Sequence, residues 1–73
     1  MPVTKANVED VFTYHAPSGD DPMHYGAVRA AAKQLAMVIL ECTPACADQQ
    51  AAIRLLREAV MTANAAIALK GAV

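Results

Sequence analysis

Thr43-Pro44-Ala45-Cys46-Ala47 is the short stretch on which the organisation of this chain turns. Upstream of it, Val28, Ala31, Leu35, Val38 and Cys42 recur at alternating spacings of three and four, which marks one stripe of an α-helix. Downstream, Ile53, Leu56, Val60, Ala63 and Ile67 repeat the same rhythm. Pro44 disfavours helical geometry at Thr43, so the pattern has to stop and start again. The spacing predicts two long helices, over 22–42 and 47–70, each ~35 Å long by the standard rise. A turn at 43–46 then makes them an antiparallel hairpin.

Asp20-Asp21-Pro22 is a start signal for the first long helix, with aspartate to cap free N–H groups and proline in the first turn. Gly71 is expected to end the second. The Pro, Ser, Gly and Asp residues of 13–21 read as a loop. Ahead of it, residues 1–12 are expected to hold a short helix capped by Thr4. The whole is one all-α domain spanning 1–73.

A chain of 73 residues has little room for a self-sufficient core. The composition is 56% hydrophobic but only 4% aromatic, because alanine supplies much of the apolar count. Alanine favours helix and contributes little buried area. Met37 to Leu40 and Ala65 to Leu69 are apolar on every side of their helices, more than a hairpin can bury. Either this surplus drives self-association, or it is alanine that tolerates exposure.

Formal net charge is −1, so no basic excess exists to neutralise the phosphates of duplex DNA or RNA. The longest purely apolar run, Met37-Val38-Ile39-Leu40, is too short to span a bilayer. The first residues lack the pattern of a signal peptide. A cytosolic protein with reduced cysteines is expected.

Catalytic groups are hard to find. Cys42 and Cys46 lie roughly 30 Å of helix away from His15 and His24, too far for a shared metal or an activated thiolate. Packed, reduced cysteines are the simpler expectation. Glu9, Asp10, Asp20 and Asp21 cluster near the N-terminus, where capping and solvation account for them. No catalytic residue, metal or cofactor is expected.

Phe12-Thr13-Tyr14-His15-Ala16-Pro17 places aromatic rings in a loop, where faces are free to stack on planar ligands such as bases. Arg29 and Lys33, one turn apart on the first long helix, suit phosphates. The alternative is that Phe12 and Tyr14 staple the short helix onto the hairpin while Arg29 and Lys33 are merely solvated.

From Phe12 onward the chain resembles the phage anti-CBASS cyclic-nucleotide sponges, CBASS being the cyclic-oligonucleotide-based anti-phage signalling system. The likeness is carried by Phe12 to Pro17, by Tyr25-Gly-Ala-Val-Arg-Ala-Ala-Ala32 and by Leu56-Arg-Glu-Ala-Val-Met-Thr-Ala-Asn-Ala-Ala-Ile-Ala-Leu69. The related Thoeris anti-defence sponges share the hairpin. The resemblance implies a short helix plus hairpin, assembled as a homohexamer. It implies a phage immune-evasion protein of the host bacterial cytoplasm that sequesters cyclic dinucleotides and cyclic trinucleotides without cutting them. Tyr14 matches the base-stacking tyrosine, Arg29 the basic residue on the phosphates, and His15 lies beside the tyrosine. A second, trinucleotide site would use Lys70 as its cation and the Ala27 and Ala31 face, where a hydroxyl is expected. The rival functions are a helical protein–protein interaction module and a small hydrolase using the acidic loop.

Overall fold

The computed structural model describes residues 2–72. Helix α1 spans Val8–Phe12, α2 spans Asp21–Cys42 and α3 spans Ala47–Ala68, and no strand occurs among the described residues. The protein is all-helical, with α2 and α3 packed as a hairpin.

The first helix is shorter than expected, and Thr4 does not cap it. Asn7 Oδ1 accepts from the Thr4 N–H at 2.7 Å, and Asn7 Nδ2 donates to the Pro2 carbonyl at 3.1 Å. Thr4 Oγ1 accepts from the Ala6 N–H at 3.2 Å. These local side-chain bonds offer the backbone an alternative to helix, so helix starts only at Val8. Met1 lies outside the described residues.

The break in the middle follows from Pro44. Thr43 is extended, with φ −122° and ψ 151°, and its Oγ1 donates to the Ile39 carbonyl at 2.6 Å. Gln49, one of the few buried side chains, reaches back and donates to the Thr43 carbonyl and Oγ1, both at 3.1 Å. Cys46 is the N-cap of α3, its sulfur accepting from the Gln49 N–H at 3.5 Å. Both cysteines are free and exposed rather than packed, because the turn faces solvent on this chain.

The far end of α3 also departs from expectation. Lys70, not glycine, takes the left-handed residue that ends the helix, with φ +54°, and Gly71 follows at φ +77°. Gly71 N–H donates to the Ala66 carbonyl and Lys70 N–H to the Ile67 carbonyl. That pair of bonds closes the orphan carbonyls of the last turn. A left-handed lysine is unfavourable. An ion pair offsets it: Lys70 Nζ lies 2.6 and 2.8 Å from the two carboxylate oxygens of Asp21. This contact joins the start of α2 to the end of α3. Neither aspartate caps through its side chain as expected. Asp20 occupies the N-cap position without a side-chain bond, and Asp21 instead accepts from the Ser18 N–H and from Lys70.

Packing between the helices is a single seam. On α3 the half-buried residues include Ile53, Leu56, Val60, Ala63 and Ile67, the expected stripe. On α2 they are Tyr25, Gly26, Val28, Ala32, Ala36 and Ile39. The expected stripe through Ala31, Leu35, Val38 and Cys42 is instead exposed. Small Ala32 and Ala36 let α3 approach closely, which leaves the larger Leu35 and Val38 outside.

No hydrophobic side chain is fully buried among the described residues, while Leu35, Met37, Val38, Leu40, Leu55 and Met61 are all exposed. The chain exposes 5608 Å², whereas a compact monomer of this mass exposes about 4,300 Å². Its radius of gyration is 15.3 Å, against about 11 Å for a compact domain of this length. The smallest dimension, 17 Å, leaves no room for a second layer. The surplus of roughly 1,300 Å² exceeds what one partner contributes to an ordinary protein interface.

Two outcomes follow. The chain is expected to elute as an assembly in light-scattering chromatography, and Leu40→Glu, which puts an unpaired charge on the exposed apolar face, to shift it towards smaller species. A monodisperse folded wild-type monomer would overturn this. Separately, the hydrogen bonds from Lys70 and the Ser18 N–H hold the Asp21 carboxyl below its ordinary pKa of 3.8. A depressed carboxylate stabilises the fold above its unfolded pKa and loses that contribution as pH falls through the folded value. Asp21→Asn is therefore expected to lower the melting temperature at neutral pH. The gap to wild type should close in acid, below the depressed pKa, as followed by circular dichroism.

Candidate functional site

Two grooves lie along the hairpin. The first, of about 390 Å³, is lined by Arg29, Ala32, Lys33 and Ala36 of α2 and by Ile53, Leu56, Arg57, Val60 and Met61 of α3. Its floor is the apolar seam and its charged lining residues are three cations, with no acid among them. A chain of net charge −1 thus concentrates positive potential where the helices meet.

The second groove, of about 340 Å³, lies nearer the open end. Tyr14 and His15 line it together with Val11, Thr13 and Tyr25, with Asn64, Ala65 and Ala68 of α3, and with Leu69 just after it. The N-terminal segment is held there by short bonds. Thr13 Oγ1 donates to the Glu9 carbonyl at 2.6 Å, ending α1. His15 Nε2 lies 2.7 Å from the Asp10 carbonyl oxygen. A carbonyl only accepts, so the ring carries a proton on Nε2 and donates. The Asp10 carboxylate is 3.9 Å from the same nitrogen. With the loop tied back in this way, Tyr14 stands 82% exposed and Phe12 81% exposed. Neither ring staples α1 to the hairpin within this chain.

The site residues expected from sequence are therefore divided. Tyr14 and His15 share one groove; Arg29 and Lys33 share the other. The two are nonetheless consecutive. Tyr25, Arg29 and Lys33 are spaced by four on α2, as are Val60 and Asn64 on α3, so both grooves open along one face. An aromatic region and a cationic region lie end to end, about 6 Å apart along the α2 axis.

Three other expected residues belong to neither groove. Ala27 and Ala31 are exposed away from both linings, and Lys70 is engaged by Asp21. Sequence reasoning missed Arg57, Tyr25 and Asn64. Each borders the apolar stripe of its helix: Arg57 follows Leu56, Asn64 follows Ala63, and Tyr25 precedes Val28 by one turn. A polar residue beside a stripe was the available signal. Among the described residues no three metal-ligating side chains come together, and no helix is long and apolar enough to cross a membrane.

No curated protein and no solved structure matches the chain. The family described as Acb2/Tad1, hairpin domain, matches it over residues 4–68, a span that includes α1, the looped tyrosine and both hairpin helices. The chain belongs to this Acb2/Tad1 hairpin family, that of the anti-CBASS and anti-Thoeris sponges which its sequence resembles.

Proposed function

We propose that this protein binds and sequesters cyclic dinucleotides, holding the messenger intact and so blocking CBASS-type defence in the cytoplasm of a bacterium infected by phage. The observation that carries this reading is the sequence of environments along one hairpin face: aromatic rings at Tyr14 and Tyr25, then the cations Arg29, Lys33 and Arg57. A cyclic dinucleotide has flat bases at its ends and charged phosphates between them. Aromatic faces stack on bases without regard to sequence, and guanidinium groups hold phosphate oxygens in paired hydrogen bonds.

Each chain offers one set of these groups, and the ligand has two bases and two phosphates. A site on a two-fold axis between copies presents every residue twice. The exposed apolar surface gives the chains a physical reason to associate, and a hexamer of D3 symmetry contains such axes. Cyclic trinucleotides fit less well. Lys70, the cation proposed for them, is neutralised by Asp21, and Ala27 and Ala31 offer no hydroxyl.

The ligand is held rather than cut. No carboxylate lines either groove, His15 spends its Nε2 proton on the Asp10 carbonyl, and a ring stacked and ion-paired in its ground state is not thereby driven towards cleavage.

Calorimetry with a cyclic dinucleotide tests the site. Tyr14→Ala is expected to lose ~1–3 kcal/mol per stacked base. Arg29→Ala should weaken binding through loss of a charge-assisted contact while leaving assembly size unchanged. Wild-type affinity in both variants would place the site elsewhere. The fate of the ligand is tested by digesting the protein after incubation. The ring should be recovered intact and able to activate an effector, at a fixed ratio to protein. Linear nucleotide, in a nuclease-free preparation, would make the protein an enzyme.

A further inference from the structure

Helix α1 is five residues long and packs closely against neither α2 nor α3. A helix so short has too few internal bonds to hold itself in water. The seam between the long helices does not draw on it either. What keeps it ordered is at its C-terminal end, where the last carbonyls of a helix have no partner inside it.

Two side chains from the following segment take those carbonyls. Thr13 Oγ1 donates to the Glu9 carbonyl at 2.6 Å. The half-buried His15 donates from Nε2 to the next carbonyl along, Asp10, at 2.7 Å. The Thr13 N–H reaches the same Asp10 oxygen at 3.4 Å. Tyr14 is the residue between these two anchors. Both of its chain neighbours are fastened to adjacent carbonyls, while its own ring remains 82% exposed at the edge of the aromatic groove. An exposed loop residue without such anchors samples many conformations, and a ligand that stacks on it has to restrict them at the expense of affinity.

We propose that Thr13 and His15 are positioning residues, a clamp across the end of α1 that sets the backbone of Tyr14 for stacking before the ligand arrives. This rests on the cyclic-dinucleotide reading above and deepens it: His15 acts through Tyr14, by its ring N–H, and α1 exists to supply the two carbonyls.

The test joins order in the free protein to affinity. The chain has two tyrosines, so labelling tyrosine nitrogen gives two amide signals, and Tyr25 inside α2 serves as the rigid reference. In the ligand-free wild type, relaxation of the Tyr14 amide should give an order parameter near that of Tyr25, about 0.85. In the double variant Thr13→Val with His15→Ala it should fall below about 0.6 while Tyr25 is unchanged. Calorimetry of the assembled protein with cyclic di-AMP and cyclic di-GMP in turn should show the double variant weakened roughly 5- to 150-fold, the worth of two net hydrogen bonds. Thr13→Ser with His15→Gln keeps a hydroxyl and a side-chain N–H donor, and should restore both order and affinity. Melting temperature and assembly size should match wild type in both variants, because the seam does not include α1. A loss of affinity with Tyr14 still ordered would make Thr13 and His15 direct ligand contacts and overturn the proposal. So would a mobile Tyr14 with affinity unchanged, failure of the Ser and Gln pair to restore binding, or a fall in melting temperature or assembly size. If wild type bound neither ring, the sequestration reading itself would fall, an outcome distinct from any change in Tyr14 order.

Discussion

Two helices in contact share one seam, and nearly everything about this protein depends on how narrow that seam is. Ala32 and Ala36 of α2 meet the Ile53, Leu56 and Val60 side of α3, so the backbones lie close and little apolar surface is covered. Alanine contributes about a methyl group to burial, worth far less than a leucine. The larger residues Leu35, Met37, Val38 and Leu40 are left outside. A slab 17 Å thick has no second layer to cover them. The hairpin is thus well formed as a pair of helices and incomplete as a globule.

The same narrow seam creates the grooves. Where side chains are small, the two helices form a shallow channel with an apolar floor, and long cations at its edge can lay their stems on that floor while keeping their charges at the rim. Arg29, Lys33 and Arg57 line this channel. At the open end the channel is closed differently. Asp21 ties the start of α2 to Lys70 beyond α3, and the segment after α1 is pinned by Thr13 and His15 so that Tyr14 stands free. Lys70 thereby serves the fold, its ammonium paired with Asp21 across the open end.

Net charge is a poor guide to such a site. With 6 basic and 7 acidic residues the chain is nearly neutral, yet its two grooves contain cations and aromatic rings without a carboxylate. Of the acids, Asp21 is consumed by the ion pair, and Asp10 lies behind His15 without lining the groove itself. A small anionic ligand senses the local arrangement, whereas a long polyanion senses the whole surface. This is the electrostatic basis for expecting a compact phosphate-bearing ring rather than duplex nucleic acid.

The all-helical class, the hairpin and its turn are legible in the order of residues alone. These rest on local physics: the three-and-four rhythm around Ile53 to Ile67, the restriction that Pro44 places on Thr43, and Pro22 in a first turn. The resemblance carried by Phe12 to Pro17 and Leu56 to Leu69 pointed to the family that matches residues 4–68. Tertiary structure decided the rest. Alanine on several sides of α2 allows more than one stripe, and only the approach of α3 selects Ala32 and Ala36 over Ala31 and Leu35. Residues distant in sequence, Asp21 and Lys70, meet because the helices run antiparallel, a contact that no local pattern announces. Tyr14 and Arg29 fell into adjacent grooves, and Tyr25, Arg57 and Asn64 joined them, because groove walls are built from both helices at once. Periodicity along one helix describes which face is apolar; it contains no information about the edge of that face, where polar side chains from two helices converge.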